Sequence, residues 1–123
     1  MSTFAFTCPG LRLYNLSNHR WHPLKVAKYN KTVKHTVWAY AMQAGLRNLG
    51  PTPPARARVT ITRIGPKALD DDGAVSSVKP ALDALKRGYC GLIEDDSVEH
   101  CQLEVVQRKG AYGVEIVVES IVV

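Results

Sequence analysis

The sequence predicts a single mixed α/β domain over residues 1–123 with the element order β-α-β-α-β-β, and three observations predict it. Runs of alternating apolar residues near both ends and in the middle of the chain read as strands. Two stretches of 3.6-residue apolar periodicity lie between them, and 123 residues of 46% hydrophobic content supply one core but not two. That order supports a mixed sheet with two helices covering one face.

The first strand rests on Phe4 and Phe6, which alternate with small or polar neighbours until Cys8-Pro9-Gly10 turns the chain. No single period holds from Leu11 to Lys31. There Arg12, His19, Arg20, His22, Lys25, Lys28 and Lys31 are interleaved with Tyr14, Trp21 and Tyr29, which reads as a basic, aromatic-studded loop. Lysine and arginine neutralise phosphates and aromatic faces stack on exposed bases, so the loop suits nucleic acid; the plainer alternative is that its aromatics close one end of the core.

A helix is expected next, capped by Asn30 or Thr32, with Val33, Val37, Tyr40, Ala41 and Ala44 on one stripe that Trp38, Met42 and Leu49 broaden. Arg47 falls in its last turn, Gly50-Pro51 ends it, and residues 50–54 form a stiff connector. A second strand follows, in which Ala57, Val59 and Ile61 alternate with Arg56, Arg58, Thr60 and Thr62, so that its exposed face is basic; Gly65-Pro66 breaks it.

The second helix spans Gly73 to Lys86. Val75, Val78, Leu82 and Leu85 share its apolar face, and Asp72, Lys79, Asp83 and Lys86 share another. Pro80 predicts a kink or restart near Lys79, because proline lacks the helical N–H and disfavours helical geometry in the residue before it. Gly88 ends the helix. Residues 98–107 and 113–123 read as strands joined through Lys109-Gly110-Ala111-Tyr112-Gly113 as a hairpin.

Charge is partitioned along the chain. Residues 1–69 carry 11 of the 16 Lys and Arg and none of the 11 acids, so a half of charge +11 precedes a half of charge −6. This suggests a face for a polyanion beside an acidic centre. Cys8, Cys90 and Cys101 make an odd number without C-x-x-C spacing, which excludes a disulfide framework and a zinc ribbon and predicts reduced thiols. No run of roughly 18 apolar residues occurs, and the N-terminus has no signal-peptide pattern, so no membrane partner and a cytoplasmic location are expected.

The chemistry concentrates in Asp70, Asp71, Asp72, Asp83, Asp95 and Asp96, two acidic groups bracketing one helix. Crowded carboxylates call for a cation, and Mg²⁺ suits oxygen donors. The EF-hand pattern fails, because Gly73 is fourth after Asp70 and the twelfth position is Ala81. Neither the His19/His22 pair nor His100-Cys101 makes a zinc site, a Cys-His hydrolase has no support in the spacing, and no Gly-rich phosphate loop is present. A plain solvated acidic turn is the rival explanation. A metal so held polarises a phosphoryl oxygen and generates a hydroxide nucleophile, with Lys79 near the carboxylates to steady developing charge, or else simply bridging Asp72 or Asp83.

At these residues the chain resembles the RusA family of phage and prophage Holliday junction resolvases. The family's pattern is D-x-D at a helix head, a lysine and an L-D-A-L-like segment within it, and a D-D pair shortly after. The matching residues are Leu69-Asp70-Asp71-Asp72, Lys79, Ala81-Leu82-Asp83-Ala84-Leu85 and Asp95-Asp96-Ser97-Val98; Cys8-Pro9 to Ser17-Asn18-His19-Arg20 matches the family's early basic segment more loosely. The resemblance implies a RusA-like fold and a homodimeric, Mg²⁺- or Mn²⁺-dependent endonuclease that binds four-way DNA by shape and nicks two strands symmetrically, in a bacterial or phage-infected cell. It implies Asp70, Asp72 and Asp96 as metal ligands and Lys79 as the catalytic cation. Asp71 can stand in for a neighbour, Asp83 and Asp95 are further candidates, and Gly73 replaces the asparagine usual in the family. DNA phosphates would be met by Arg12, Arg20, Lys25, Lys28, Arg56 and Arg58. A non-catalytic nucleic-acid-binding protein of the same fold, and a module that docks an acidic protein, are the alternatives.

Overall fold

The computed structural model describes residues 3–16, 19–46 and 53–121. Expectations that fall on Ser17, Asn18, Arg47, Leu49, residues 50–52 or the last two residues lie outside them. The elements are β1 (Thr3–Pro9), α1 (Pro23–Gln43), β2 (Ala57–Gly65), α2 (Asp71–Ser77), α3 (Lys79–Leu85), β3 (Cys101–Lys109) and β4 (Gly113–Ser120). The four strands form one mixed sheet in the order β1-β4-β2-β3.

β2 is central because it satisfies ladders on both sides. It runs parallel to β3, with Val59 opposite Leu103, and antiparallel to β4, with Ile61 opposite Ile116; β4 in turn pairs antiparallel with β1, Phe6 facing Ile116. The expected hairpin between the last two strands is therefore corrected. β3 and β4 flank β2, and residues 110–112 pass over its end, where the Gly110 N–H donates to the Gly65 carbonyl at 3.1 Å. Burial gives the reason: Val59 and Ile61 are fully covered whereas Leu103 and Val105 on β3 are only partly so, which suits β3 to an edge.

One face of the sheet carries the core. Phe6, Cys8, Val59, Ile61, Val114, Ile116 and Val118 meet Val33, Val37 and Ala41 of α1 and Ala81, Leu82, Ala84 and Leu85 of α3. Burying each of those leucines stabilises the fold by about 1.5–3 kcal/mol relative to leaving it exposed.

α1 begins earlier than the periodicity alone indicates. His22 caps it, its Nδ1 accepting from the Leu24 N–H at 3.1 Å, and Pro23 occupies the first turn, where its missing N–H costs nothing. Lys25, Lys28 and Lys31 thus lie on a helix rather than in a loop. The helix also stops sooner, at Gln43 before Gly45, instead of running to Gly50.

The second helix restarts where Pro80 requires. α2 ends and α3 begins at Val78, and Pro80 sits in the first turn of α3. The break rotates α2, so Val75, expected on the apolar face, is 51% exposed while Val78, Leu82 and Leu85 are buried. No helix among the described residues is long and apolar enough to cross a membrane.

Candidate active site and nucleic-acid face

Lys79, the first residue of α3, owes its partners to the way the chain folds back after that helix. The helix's last carbonyls are taken by the following loop: the Ala84 carbonyl accepts from Cys90 N–H, Leu85 from Leu92 and Ile93, and Lys86 from Tyr89 and Gly91, all at 2.9–3.1 Å. Gly88 and Gly91 supply the left-handed backbone (φ 101° and 68°) that this reversal needs. Ile93, fully buried, pins the loop to the core and delivers Asp96 back to the start of α3.

The result is a four-charge cluster. Lys79 Nζ donates a hydrogen bond to Asp96 Oδ2. Asp83 Oδ1 lies 3.1 Å from both Lys79 Nζ and Lys86 Nζ, at ion-pairing range but off the hydrogen-bonding direction, and Lys86 Nζ is 3.5 Å from Asp96 Oδ1. The Lys79 hydrogen bond, aided by the charges of Lys79 and Lys86 against the opposing effect of burial, holds the Asp96 carboxyl down at about 2 from an ordinary 3.8. The same bond raises Lys79. Slight burial pulls the Lys86 ammonium down, but the Asp83 contact and the nearby carboxylates outweigh it and leave it raised.

The first acidic group is built differently. Gln107 of β3 clamps the turn before it, accepting from the Leu69 N–H and donating to the Leu69 carbonyl, both at 2.8 Å. Asp70 then caps α2, its Oδ1 accepting from the Gly73 N–H at 2.7 Å, and Asp71 and Asp72 lie exposed in the first turn, where the helix dipole favours them. A side chain at Gly73 has no room: its Cβ would lie 2.5 Å from Asp70 Oδ1 and 2.8 Å from Asn15 Nδ2. The amide of Asn15, from the loop after β1, occupies the space beside the aspartates.

All these carboxylates are hard oxygen donors of the kind Mg²⁺ takes. Yet among the described residues no three His, Cys, Asp or Glu side chains form a group that could hold a metal. The structure brings together Lys79, Asp83, Lys86 and Asp96; it does not gather Asp70, Asp71 or Asp72 with Asp96 into one such group. Among the described residues Lys79 pairs with Asp83 and Asp96 and not with Asp72. Asp95 adjoins the cluster, and its hydrogen bond to Asp96 is a lesser contribution to the low Asp96 value.

Beside the acidic residues lies the aromatic and basic segment. Tyr14, His19, Trp21 and Tyr29 pack edge to face at centroid distances of 5.1–5.6 Å, and the Tyr14 N–H donates to Tyr29 Oη at 2.9 Å. Burial raises the Tyr29 hydroxyl. Arg12 lies over both Tyr14 and Tyr112, 4.4 and 4.6 Å from their centroids, and Lys25 lies over Trp21 at 4.2 Å. Arg20 and Lys28 are exposed on the same segment. Arg58 is not part of this surface: it alternates with the buried Ala57 and Val59 and so projects from the sheet face opposite the helices, while Arg56, just before β2, is half-buried with its Nε unpartnered among the described residues.

A hollow of about 200 Å³ joins the two regions, lined by Tyr14, Asn15 and Leu16 of the loop, Asn30 of α1, Ser76 of α2, and Lys79 and Pro80 of α3. The buried Oδ1 of Asn30 has no hydrogen-bond partner among the described residues. Asn15 and Gln107 escape sequence reasoning because lone amides carry no periodic or motif signal, and Asn30, expected as a helix cap, lies inside α1 instead. No protein-family model matches the chain, and no curated protein matches it in sequence.

Proposed function

We propose that the chain is a metal-dependent, structure-specific endodeoxyribonuclease that resolves four-way Holliday junctions by paired symmetric nicks, as the RusA family it resembles does. The observation that carries the reading is the shared hollow in which Lys79, ion-paired to Asp96, meets the aromatic loop of Tyr14 and Asn15 and the acceptor of Asn30, unpartnered among the described residues. Lys79 supplies positive charge toward a phosphate, the tyrosines and Trp21 supply faces for unpaired bases, and Arg12, Arg20, Lys25 and Lys28 supply backbone contacts. Mg²⁺ or Mn²⁺ bound to Asp70, Asp72 and Asp96 would polarise the phosphoryl oxygen and activate a water, and this requires Asp96 to leave Lys79 and approach the other two, which the structure does not gather with it. A twofold-symmetric junction calls for a homodimer.

The test is incubation of a labelled four-way junction and a linear duplex with Mg²⁺ and then with chelator. Asp70→Asn is the matched variant, because asparagine keeps the acceptor that caps α2 while removing the charge. Cutting of the junction alone, lost with chelator and in Asp70→Asn while binding persists, is expected; cleavage by Asp70→Asn at the wild-type rate refutes the metal role.

The engagement of Asp96 by Lys79, with no three-carboxylate group among the described residues, favours one second reading: a non-catalytic nucleic-acid-binding protein of the same fold. Junction binding without metal-dependent cutting selects it.

A further inference from the structure

Arg63 stands where the pattern of β2 calls for an apolar residue. It follows Ala57, Val59 and Ile61 on the core-facing side of the strand and is only 7% exposed. Its guanidinium donates from Nε to the Leu13 carbonyl at 3.3 Å and from Nη1 to the Lys67 carbonyl at 3.1 Å. Both acceptors are neutral, and among the described residues no carboxylate lies within ion-pairing distance of it. A buried charge without a counter-charge is costly, and an anion from outside would offset that cost.

The surroundings are built to receive one. Arg63 and Lys67 line a hollow of about 360 Å³ with Arg12, Leu69 and Tyr112, and no acidic side chain lines it. A second hollow of about 150 Å³ shares Arg63, Pro66 and Lys67 and adds Lys109 and Arg108, the latter already paired with Glu115 at 2.6 Å. Arg12 lies against the faces of Tyr14 and Tyr112, contacts that hold its guanidinium beside the hollow. Gly65 keeps the space open, since a Cβ there would press on the Tyr112 ring at 3.3 Å.

We propose that Arg12, Arg63 and Lys67 form a phosphate-binding site at the carboxyl end of β2. Guanidinium groups bind phosphate oxygens through paired, charge-assisted hydrogen bonds, and three cations without a carboxylate exclude cationic ligands. That the phosphate belongs to a nucleic-acid strand rests on the nuclease reading above; the affinity for phosphate itself does not. The strand's source is a backbone phosphodiester or a terminal phosphomonoester; both present anionic phosphoryl oxygens, the monoester with one more oxygen and the greater charge.

The experiment is an NMR titration of the arginine Nε–H resonances in the full chain with inorganic phosphate, at ionic strength matched with chloride and with chelator present, so that neither metal nor cleavage enters. Saturable shifts of Arg12 and Arg63 are expected, with affinity lowered roughly tenfold in Lys67→Ala, one charge-assisted contact being worth about 1.5 kcal/mol or more. Lys67 is exposed on a turn, so that variant folds. Absent shifts, or wild-type affinity in both Lys67→Ala and Arg12→Ala, overturn the site. A tetranucleotide with and without a 5′-phosphate then identifies the source: preference for the phosphorylated form supports a terminal phosphate, and equal binding that moves Arg63 supports the phosphodiester. Binding of inorganic phosphate but of neither oligonucleotide overturns the nucleic-acid assignment and leaves the anion site standing.

Discussion

Replacing Lys79 with methionine tests the charge cluster most directly, because the neutral side chain keeps the length and removes only the ammonium. In the wild type that ammonium binds Asp96 and lies 3.1 Å from Asp83. Without it, the two carboxylates share Lys86 alone, 3.5 Å from one and 3.1 Å from the other. The Asp96 carboxyl, now held at about 2, rises toward its ordinary 3.8.

That change sets the size and the pH window of the effect. At about 1.4 kcal/mol for each tenfold change in proton affinity, the ceiling is roughly 2.5 kcal/mol. The Lys79 side chain is 55% exposed against 18% for Asp96, so water screening and the ordering of a long side chain reduce the expected loss to about 1 kcal/mol. Folding depresses this carboxyl, so its contribution is fully present above pH 3.8 and is lost as the pH falls through about 2. Urea denaturation of both proteins should therefore show a gap of about 1 kcal/mol at neutral pH that closes toward pH 2. A carbon-detected titration of the Asp96 carboxyl should show its midpoint rising in the variant. A gap that persists unchanged through acid, or an Asp96 that still titrates near 2 in Lys79→Met, refutes the ion-pair account.

Three further outcomes follow from the geometry. Gly73→Ala should destabilise the fold by about 1–3 kcal/mol in urea, because the new Cβ displaces the capping Asp70 carboxylate and the Asn15 amide; Asn15→Ala in the same chain should recover only part of the loss. Gln107→Leu strips both hydrogen bonds from Leu69 and should cost about 1–3 kcal/mol, with faster hydrogen exchange at the Leu69 amide. Burial pushes the Cys8 thiol up to about 12 and Cys90 to about 11, and raises Cys101, so a disulfide-exchange reagent at pH 8 should label none of them until the protein is unfolded.

Much of the scaffold was legible in the residues because its signals are local. Val59 and Ile61 announce their strand by alternation, Val33 and Val37 their helix by spacing, and Pro80 the break at Val78 by its missing N–H. The start of α1 was hidden because Lys25, Lys28 and Lys31 dilute the apolar stripe, although His22-Pro23 is a helix-start signal in its own right. The place of β2 between β3 and β4 was illegible for another reason: a short Gly-containing connector suits a hairpin and a two-strand span equally, and only the competition for ladder partners decides. In the site, the approach of Lys79 to Asp83 follows from i,i+4 spacing, whereas that of Asp96 depends on the loop that Ile93 anchors. Nothing in the order of residues indicated that Asn15 would abut Gly73.

The partition of charge along the chain acquires its meaning from strand direction. β1 and β2 are each antiparallel to β4 and therefore parallel to one another, and β3 is parallel to β2, so three strands end at the same edge of the sheet. The segment leaving β1 is the cationic, aromatic loop of Arg12 and Tyr14; the segment leaving β2 is the turn that leads through Lys67 to Asp70; the end of β3 supplies Gln107, and the approach to β4 supplies Tyr112. Carboxyl ends of neighbouring parallel strands diverge into connections that leave a crevice, which is why ligands collect there in α/β sheets. In this chain the topology brings the cationic loop of Arg12 and the turn that leads through Lys67 to Asp70 to the same end of the sheet. Attraction between these cationic and acidic segments offsets the repulsion that either would suffer alone.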